Sequence, residues 1–205
     1  TTTGGTLTVD ATRTLTLGAS SSAAGTLDVN GTIDGGQTIT NNGTATLAGD
    51  IDGVFVQNSG NTDVDGTSSV SGLMNIGGGT LDINSGQTLT ASGGLVIGGT
   101  LDHNGTLLGD LTVSSGSTAN LKGNVTGTAV LTGTADIGAD FTVTGSVTQS
   151  GGVTNIGNGS YTVTTTGTWA ASGNIDAGSG DLTISANRIE LNTGFSSTGT
   201  VHLSA

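Results

Sequence analysis

From Leu89 to Val143 an aliphatic residue or an alanine falls at every sixth position: Leu89, Leu95, Leu101, Leu107, Val113, Ala119, Val125, Leu131, Ile137 and Val143. An α-helix does not produce this pattern, because its apolar stripe recurs at three and four residues. A short strand and a turn, repeated at fixed length, do produce it, and six-residue periods mark parallel β-helices. Around this series apolar residues pair at i and i+2, as in Leu7/Val9, Leu27/Val29, Leu81/Ile83, Leu95/Ile97, Leu111/Val113 and Leu182/Ile184. Such alternation places both side chains on one face of a strand. Asn30-Gly31, Asn42-Gly43, Asp52-Gly53 and Asn104-Gly105 stand between the pairs, and these residue types form turns because they tolerate positive φ. The intervals between turns are too short for hairpin strands, which usually run about five or six residues. Parallel stacking of successive coils fits better.

Three hexads per turn predict a three-sided, all-β, single-stranded parallel β-helix (a β-solenoid) of roughly 18–22 residues per turn. In that register Leu89, Leu107, Val125 and Val143 stack in one column. Leu95, Val113 and Leu131 form the second, and Leu101, Ala119 and Ile137 the third. The interior is then expected to be apolar throughout. The hexad phase slips over residues 53–80 and 154–162, which reads as longer turns inserted between strands, since loops absorb insertions cheaply. At about 4.8 Å per turn, roughly eleven turns make a rod about 50 Å long. Residues 1–205 read as a single solenoid domain.

Strand pattern begins almost at once with Thr6-Leu7-Thr8-Val9 and is still present at Val201-His202-Leu203. No amphipathic segment stands at either end to act as the cap that solenoids normally carry. The expectation is an uncapped coil whose polymer contacts include Thr6, Leu7, Val9, Val201 and Leu203. Its partner is then a second copy of itself in heterologous, head-to-tail contact, which generates open filaments.

Composition narrows the functional classes. Gly (39) and Thr (40) dominate, and Pro and Cys are absent. A chain without Pro suits a backbone whose donors are used in ladders. The lack of Cys removes disulfide and thiolate chemistry. Three cations, Arg13, Lys122 and Arg188, face fifteen acids, for a net charge of −12. That balance excludes nucleic acid as a partner, because phosphate binding needs clustered cations. It also disfavours anionic lipid. No apolar run is long enough to span a membrane as a helix.

Candidate chemistry is sparse. Asp50/Asp52 and Asp63/Asp65 are i, i+2 pairs flanking a phase slip. If a loop gathers them they are candidate Ca²⁺ ligands, since calcium takes several carboxylate and carbonyl oxygens. The alternative is solvated turn acids beside Gly53 and Gly66, and no full calcium-loop motif is present. No other cofactor is expected. His103 and His202 are the only histidines, and a surface place on a strand is expected for each. No Gly-x-Ser-x-Gly elbow with matching His and Asp occurs, and Gly77-Gly78-Gly79 lacks the Lys of a phosphate loop. Among the aromatics, Trp169 and Phe195 fall on hexad positions and are expected to point inward, while Tyr161, Phe55 and Phe141 are too scattered to suggest a sugar-stacking row. Thr-x-Thr pairs are frequent, but only 126/128, 142/144 and 162/164 come near a common step.

Three segments resemble one another: Gly25-Thr-Leu-Asp-Val-Asn-Gly31, Gly79-Thr-Leu-Asp-Ile-Asn84 and Gly99-Thr-Leu-Asp-His-Asn-Gly105. With the stretch from Gly180 to Ala205, they resemble repeats of secreted bacterial β-helix adhesins of the filamentous-haemagglutinin and autotransporter-passenger kind. The unbroken hexads also resemble bactofilins, β-helices that polymerise end to end. The adhesin resemblance implies a right-handed coil, an extracellular or cell-surface location and an adhesive or fibrous role. It supplies no catalytic residues to carry over. The combined expectation is a non-enzymatic structural subunit or stalk of a bacterial surface fibre, of the kind found in biofilms. The alternative is a solenoid binding module that recognises glycans, of a host or of a cell surface, or ice through one flat face.

Overall fold

A Thr-Leu-Asp-Val segment has one obvious way to bury its aliphatics: extended, with Leu and Val inward and Thr and Asp outward. Thr26–Val29 does this, and Thr80–Ile83 and Thr100–His103 repeat it. The computed structural model describes residues 6–10, 14–16, 21–23, 25–192, 194 and 196–205. The described residues contain β-strands and no helix, and the strands pair in parallel as a β-solenoid of about ten turns.

The coil has three sides. Face A stacks Thr26–Val29, Thr44–Leu47, Asn61–Val64, Thr80–Ile83, Thr100–His103, Thr118–Leu121 and Thr134–Ile137. Face B includes Thr88–Ala91, Thr106–Leu108, Asn124–Thr126 and Phe141–Val143. Face C includes Met74–Ile76, Leu95–Ile97, Leu111–Val113, Ala129–Leu131 and Val147–Gln149. Towards the C-terminal side the corners straighten, and the strands Ser160–Ala171 and Asn174–Leu191 run continuously from one face to the next.

The predicted column Leu89–Leu107–Val125–Val143 is observed on face B. The other two columns need correction. Leu95 lies on Leu111 and Ala129, while Val113 and Leu131 continue the column of Ile97. Leu101 lies on Ala119 as expected, but the next layer is Ala135, and Ile137 instead continues Leu121. The cause is turn length. Thr118 pairs with Thr134, 16 residues on, whereas Asn174 pairs with Ser196, 22 residues on. Removing two residues from a turn keeps inward residues inward, because side chains alternate with a period of two. The hexad count therefore survives while the vertical neighbour changes.

The interior is not apolar throughout. Asn41, Gln57, Thr62, Ser68, His103, Gln149, Thr154 and Thr165 are buried. This also explains the phase slips. Residues 53–80 form ordinary strands joined by short turns, and the apolar series breaks because Gln57, Thr62 and Ser68 take inward places. A corner network satisfies several of these groups, as buried polar atoms require. Gln57 Nε2 donates to the carbonyls of Gly60 (3.2 Å), Gly78 (3.0 Å) and Thr80 (3.0 Å). Thr62 Oγ1 donates to Gln57 Oε1, and Asn41 Nδ2 donates to the Gly43 carbonyl at 3.2 Å.

At the same corner glycine is obligatory. Gly60 has φ 83°, and a Cβ there would lie 1.9 Å from the Gly43 carbonyl oxygen in the turn below. Positive φ and the close approach of stacked backbones together exclude other residues.

Candidate functional site

Each face carries a different outer surface, because parallel in-register stacking brings equivalent outward residues together. On face A one outward column reads Asp28, Thr46, Asp63, Asp82, Asp102, Asn120, Asp136, Asn155, Asp176 and Thr198. Beside it runs a second, Thr26, Thr44, Asn61, Thr80, Thr100, Thr118 and Thr134. Amides and hydroxyls separate and satisfy most of the carboxylates. Asn61 donates to Asp63 at 2.7 Å, Asn155 to Asp136 at 2.7 Å, Thr198 to Asp176 at 2.6 Å, and Asn120 to Asp102. The Thr198 hydroxyl, helped by the Gly178 backbone, holds Asp176 below its ordinary carboxylate range. Asp82 is different, because Asp63 and Asp102 lie directly below and above it. Partial burial first, and then these two neighbouring carboxylates, push its pKa up to about 6.

Face B carries no charge along its central stripe. Thr88, Thr106, Asn124, Thr142, Thr164, Ser185 and Ser204 stack in register. Thr90, Leu108 and Thr126 stack beside them, and Thr166 Oγ1 donates to the Thr144 carbonyl, continuing the second row. The aligned pairs are thus 88/90, 106/108, 124/126, 142/144 and 164/166. The pairs 126/128 and 162/164 drop out because Thr128 already belongs to the corner before Ala129–Leu131 and Thr162 precedes the inward Val163.

The four calcium candidates do not converge. Asp50 and Asp52 lie on face B, where Ser69 and Ser71 hydroxyls donate to them at 2.6 and 2.7 Å. Ser71 holds Asp52 below its ordinary range. Asp63 points outward on face A, and Asp65 just after it accepts from Asn84. No long loop gathers them, since Asp50–Gln57 and Asn61–Val64 are strands. Among the described residues no group of three or more His, Asp or Glu side chains is placed to hold a metal ion.

His202 is exposed, as expected, but His103 is not. It is fully buried in the inward column between Ile83 and Leu121, edge-on to Phe141 with ring centroids 6.4 Å apart. Both ring nitrogens lack a hydrogen-bond partner. Burial pushes its pKa down to about 4, and the nearby Asn124 backbone offsets only part of this. Trp169 points inward as expected, with its indole N–H unpaired. Phe55 and Phe141 are also in the core, Tyr161 packs partly against it, and Phe195 lies outside the described residues.

The strand Thr6–Val9 pairs on one edge with Thr26–Val29, and Leu7 packs partly against the core. The side chains of Thr6 and Val9 lie outside the described residues. At the other end Ser196–Ser204 pairs on one edge with Asn174–Leu191. Val201 is partly buried there. Leu191 and Leu203 continue inward columns yet are 47% and 44% exposed, so the last layer of the core is open.

Sequence reasoning missed a groove at the corner between faces A and B. It has a volume of about 460 Å³ and crosses three successive turns at Lys122, Gly138 and Gly157. Its signal was the outward run Asn120, Asp136, Asn155, which becomes visible only once the 16-residue turn is known.

No family model, no curated protein and no solved structure matches this chain.

Proposed function

We propose that the protein is a non-enzymatic structural element of an extracellular bacterial surface fibre or adhesin, a rod that extends by head-to-tail stacking. The observation that carries this reading is the open layer formed by Ser196–Ser204, with its unpaired strand edge and its half-exposed Leu191 and Leu203. A further parallel strand of the same kind, such as Thr6–Val9 of a second copy, satisfies both the free backbone groups and the apolar surface. Unpaired strand edges are templates for pairing, and a heterologous contact of this kind propagates along one axis. The non-enzymatic part is supported by the way the aspartates are spread as a hydrogen-bonded ladder rather than gathered with cations. The test is electron microscopy and light scattering of the purified 205-residue chain. Unbranched filaments with an axial repeat of about 50 Å are expected, and Leu203→Lys shortens them. Discrete monomers at every concentration overturn head-to-tail assembly.

A second reading, recognition of ice through one flat face, is favoured by the uncharged threonine stripe of face B. Its hydroxyls repeat at the strand spacing of about 4.8 Å, a regular array suited to ordered water. An ice-recrystallisation assay tests it: inhibition that is lost in Thr106→Lys supports this reading, and no inhibition by the parent chain removes it.

A further inference from the structure

The corner groove has a layered chemistry. Ile137 and Ile156, 2% and 4% exposed, form an apolar floor, and Gly138 and Gly157 keep it open. The rim is polar. Asn120, Asp136 and Asn155 stack in register along one side. Asn155 Nδ2 donates to Asp136 Oδ1 at 2.7 Å, which leaves the second carboxylate oxygen as an acceptor. Lys122 completes the rim. A Cβ on Gly138 would lie 2.7 Å from Lys122 Cε and 3.2 Å from its Cγ, so the bare glycine seats the lysine stem. The ammonium is thereby carried along the groove, and among the described residues it forms no ion pair. The volume falls within the range of small-molecule sites, roughly 300–1,000 Å³.

From this arrangement we infer that the groove binds a neutral pyranose sugar as part of a short saccharide. A pyranose has an apolar face of C–H groups and a rim of hydroxyls that both donate and accept. The isoleucine floor matches the first. Asp136 as acceptor, Lys122 as donor and the two asparagine amides as either match the second. Charge selects against the other classes of small ligand. An anion meets Asp136, with Asp102 next to Asn120, in a chain of net charge −12. A cation meets the Lys122 ammonium. A purely apolar ligand leaves four polar side chains desolvated, which is costly.

Saturation-transfer NMR on the full 205-residue chain tests this, with glucose, galactose, mannose and N-acetylglucosamine as probes, followed by calorimetry on the best. The method works on monomers and filaments alike, so its result is independent of assembly. Transfer to the ring C–H protons of at least one sugar, with millimolar affinity, is expected. Asp136→Asn and Lys122→Met each weaken it about tenfold, the effect of losing one hydrogen bond to a charged group. Asp28→Asn, on the same ladder but several turns away, leaves it unchanged. No transfer to any of the four sugars overturns the inference. Binding that persists at full strength in both groove variants overturns it equally.

Discussion

Faces A and B are built from the same kind of strand and stacked by the same register, yet they differ in both directions from the sheet. Outside, face A carries a carboxylate ladder with Asp82 wedged between Asp63 and Asp102, whereas face B presents an uncharged stripe of threonines. Inside, face A holds a histidine with two orphaned nitrogens, whereas the central column of face B is Leu89, Leu107, Val125 and Val143. Stacking amplifies whatever the outward residue is. A neutral hydroxyl repeated every turn makes a surface, while a charge repeated every turn makes a repulsion that asparagines and threonines must interrupt. Face A is therefore the electrostatically responsive side of the rod and face B the inert one.

The difference can be broken most forcefully from inside. Leu107→Ala on face B removes buried aliphatic atoms between Leu89 and Val125, and is expected to cost about 2–5 kcal/mol in chemical denaturation. The equivalent change on face A has the opposite sign. His103→Leu replaces an unsatisfied buried ring by an aliphatic residue between Ile83 and Leu121, and is expected to stabilise by about 1–3 kcal/mol. A loss of stability in that variant means that the imidazole has a partner after all.

Acid sharpens the contrast. His103 has a folded pKa of about 4 against an ordinary value of 6.5, so the unfolded chain takes up the proton first. The stability His103 retains when neutral is complete above pH 6.5 and is lost as pH falls towards 4, by about 3 kcal/mol in all. Urea midpoints across this range are expected to fall in the parent chain and, apart from the contribution of Asp82, to stay flat in His103→Leu.

Asp82 responds the other way. Its folded pKa of about 6 lies above the ordinary 3.8, so its favourable contribution is present below pH 3.8 and lost as pH rises through 6. Asp82→Asn is therefore expected to stabilise at pH 7, by about 1 kcal/mol once solvent screening is allowed for, and to change little at pH 3.5. Added salt reproduces part of the gain by screening Asp63 and Asp102. The smallest effect belongs to face B, where Thr106→Asn is expected to shift stability by no more than about 0.5 kcal/mol at any pH. A pH-dependent change there removes the distinction between the faces.

Much of this was legible along the chain. Leu27/Val29 and Leu111/Val113 announced inward pairs, and both pairs are buried. Trp169, on a hexad position, is in the core. What misled was the assumption of equal turns. With 16 residues between Thr118 and Thr134, Ala135 rather than Ile137 continues the column of Leu101 and Ala119. The same arithmetic hid the Asn120–Asp136–Asn155 rim of the groove, and the real threonine pairs at 106/108 and 164/166. His103 misled in a second way. It occupies the last place of a Thr-Leu-Asp-His strand where related strands have Val or Ile, so parity alone placed it inward, against the general preference of histidine for the surface.

The sequence by itself determined that the chain is a stack of short parallel strands and which face of each strand is buried, because alternation is a local property read over a few residues. Which turns meet, and therefore which residues touch across 16 to 22 positions, was decided only in the tertiary structure. Register is set by corner geometry, where a Gly60 beneath Gly79 or a Gln57 bonded to three carbonyls fixes how many residues each corner consumes. No local periodicity records that number, and the aspartate ladder, the threonine stripe and the groove all depend on it.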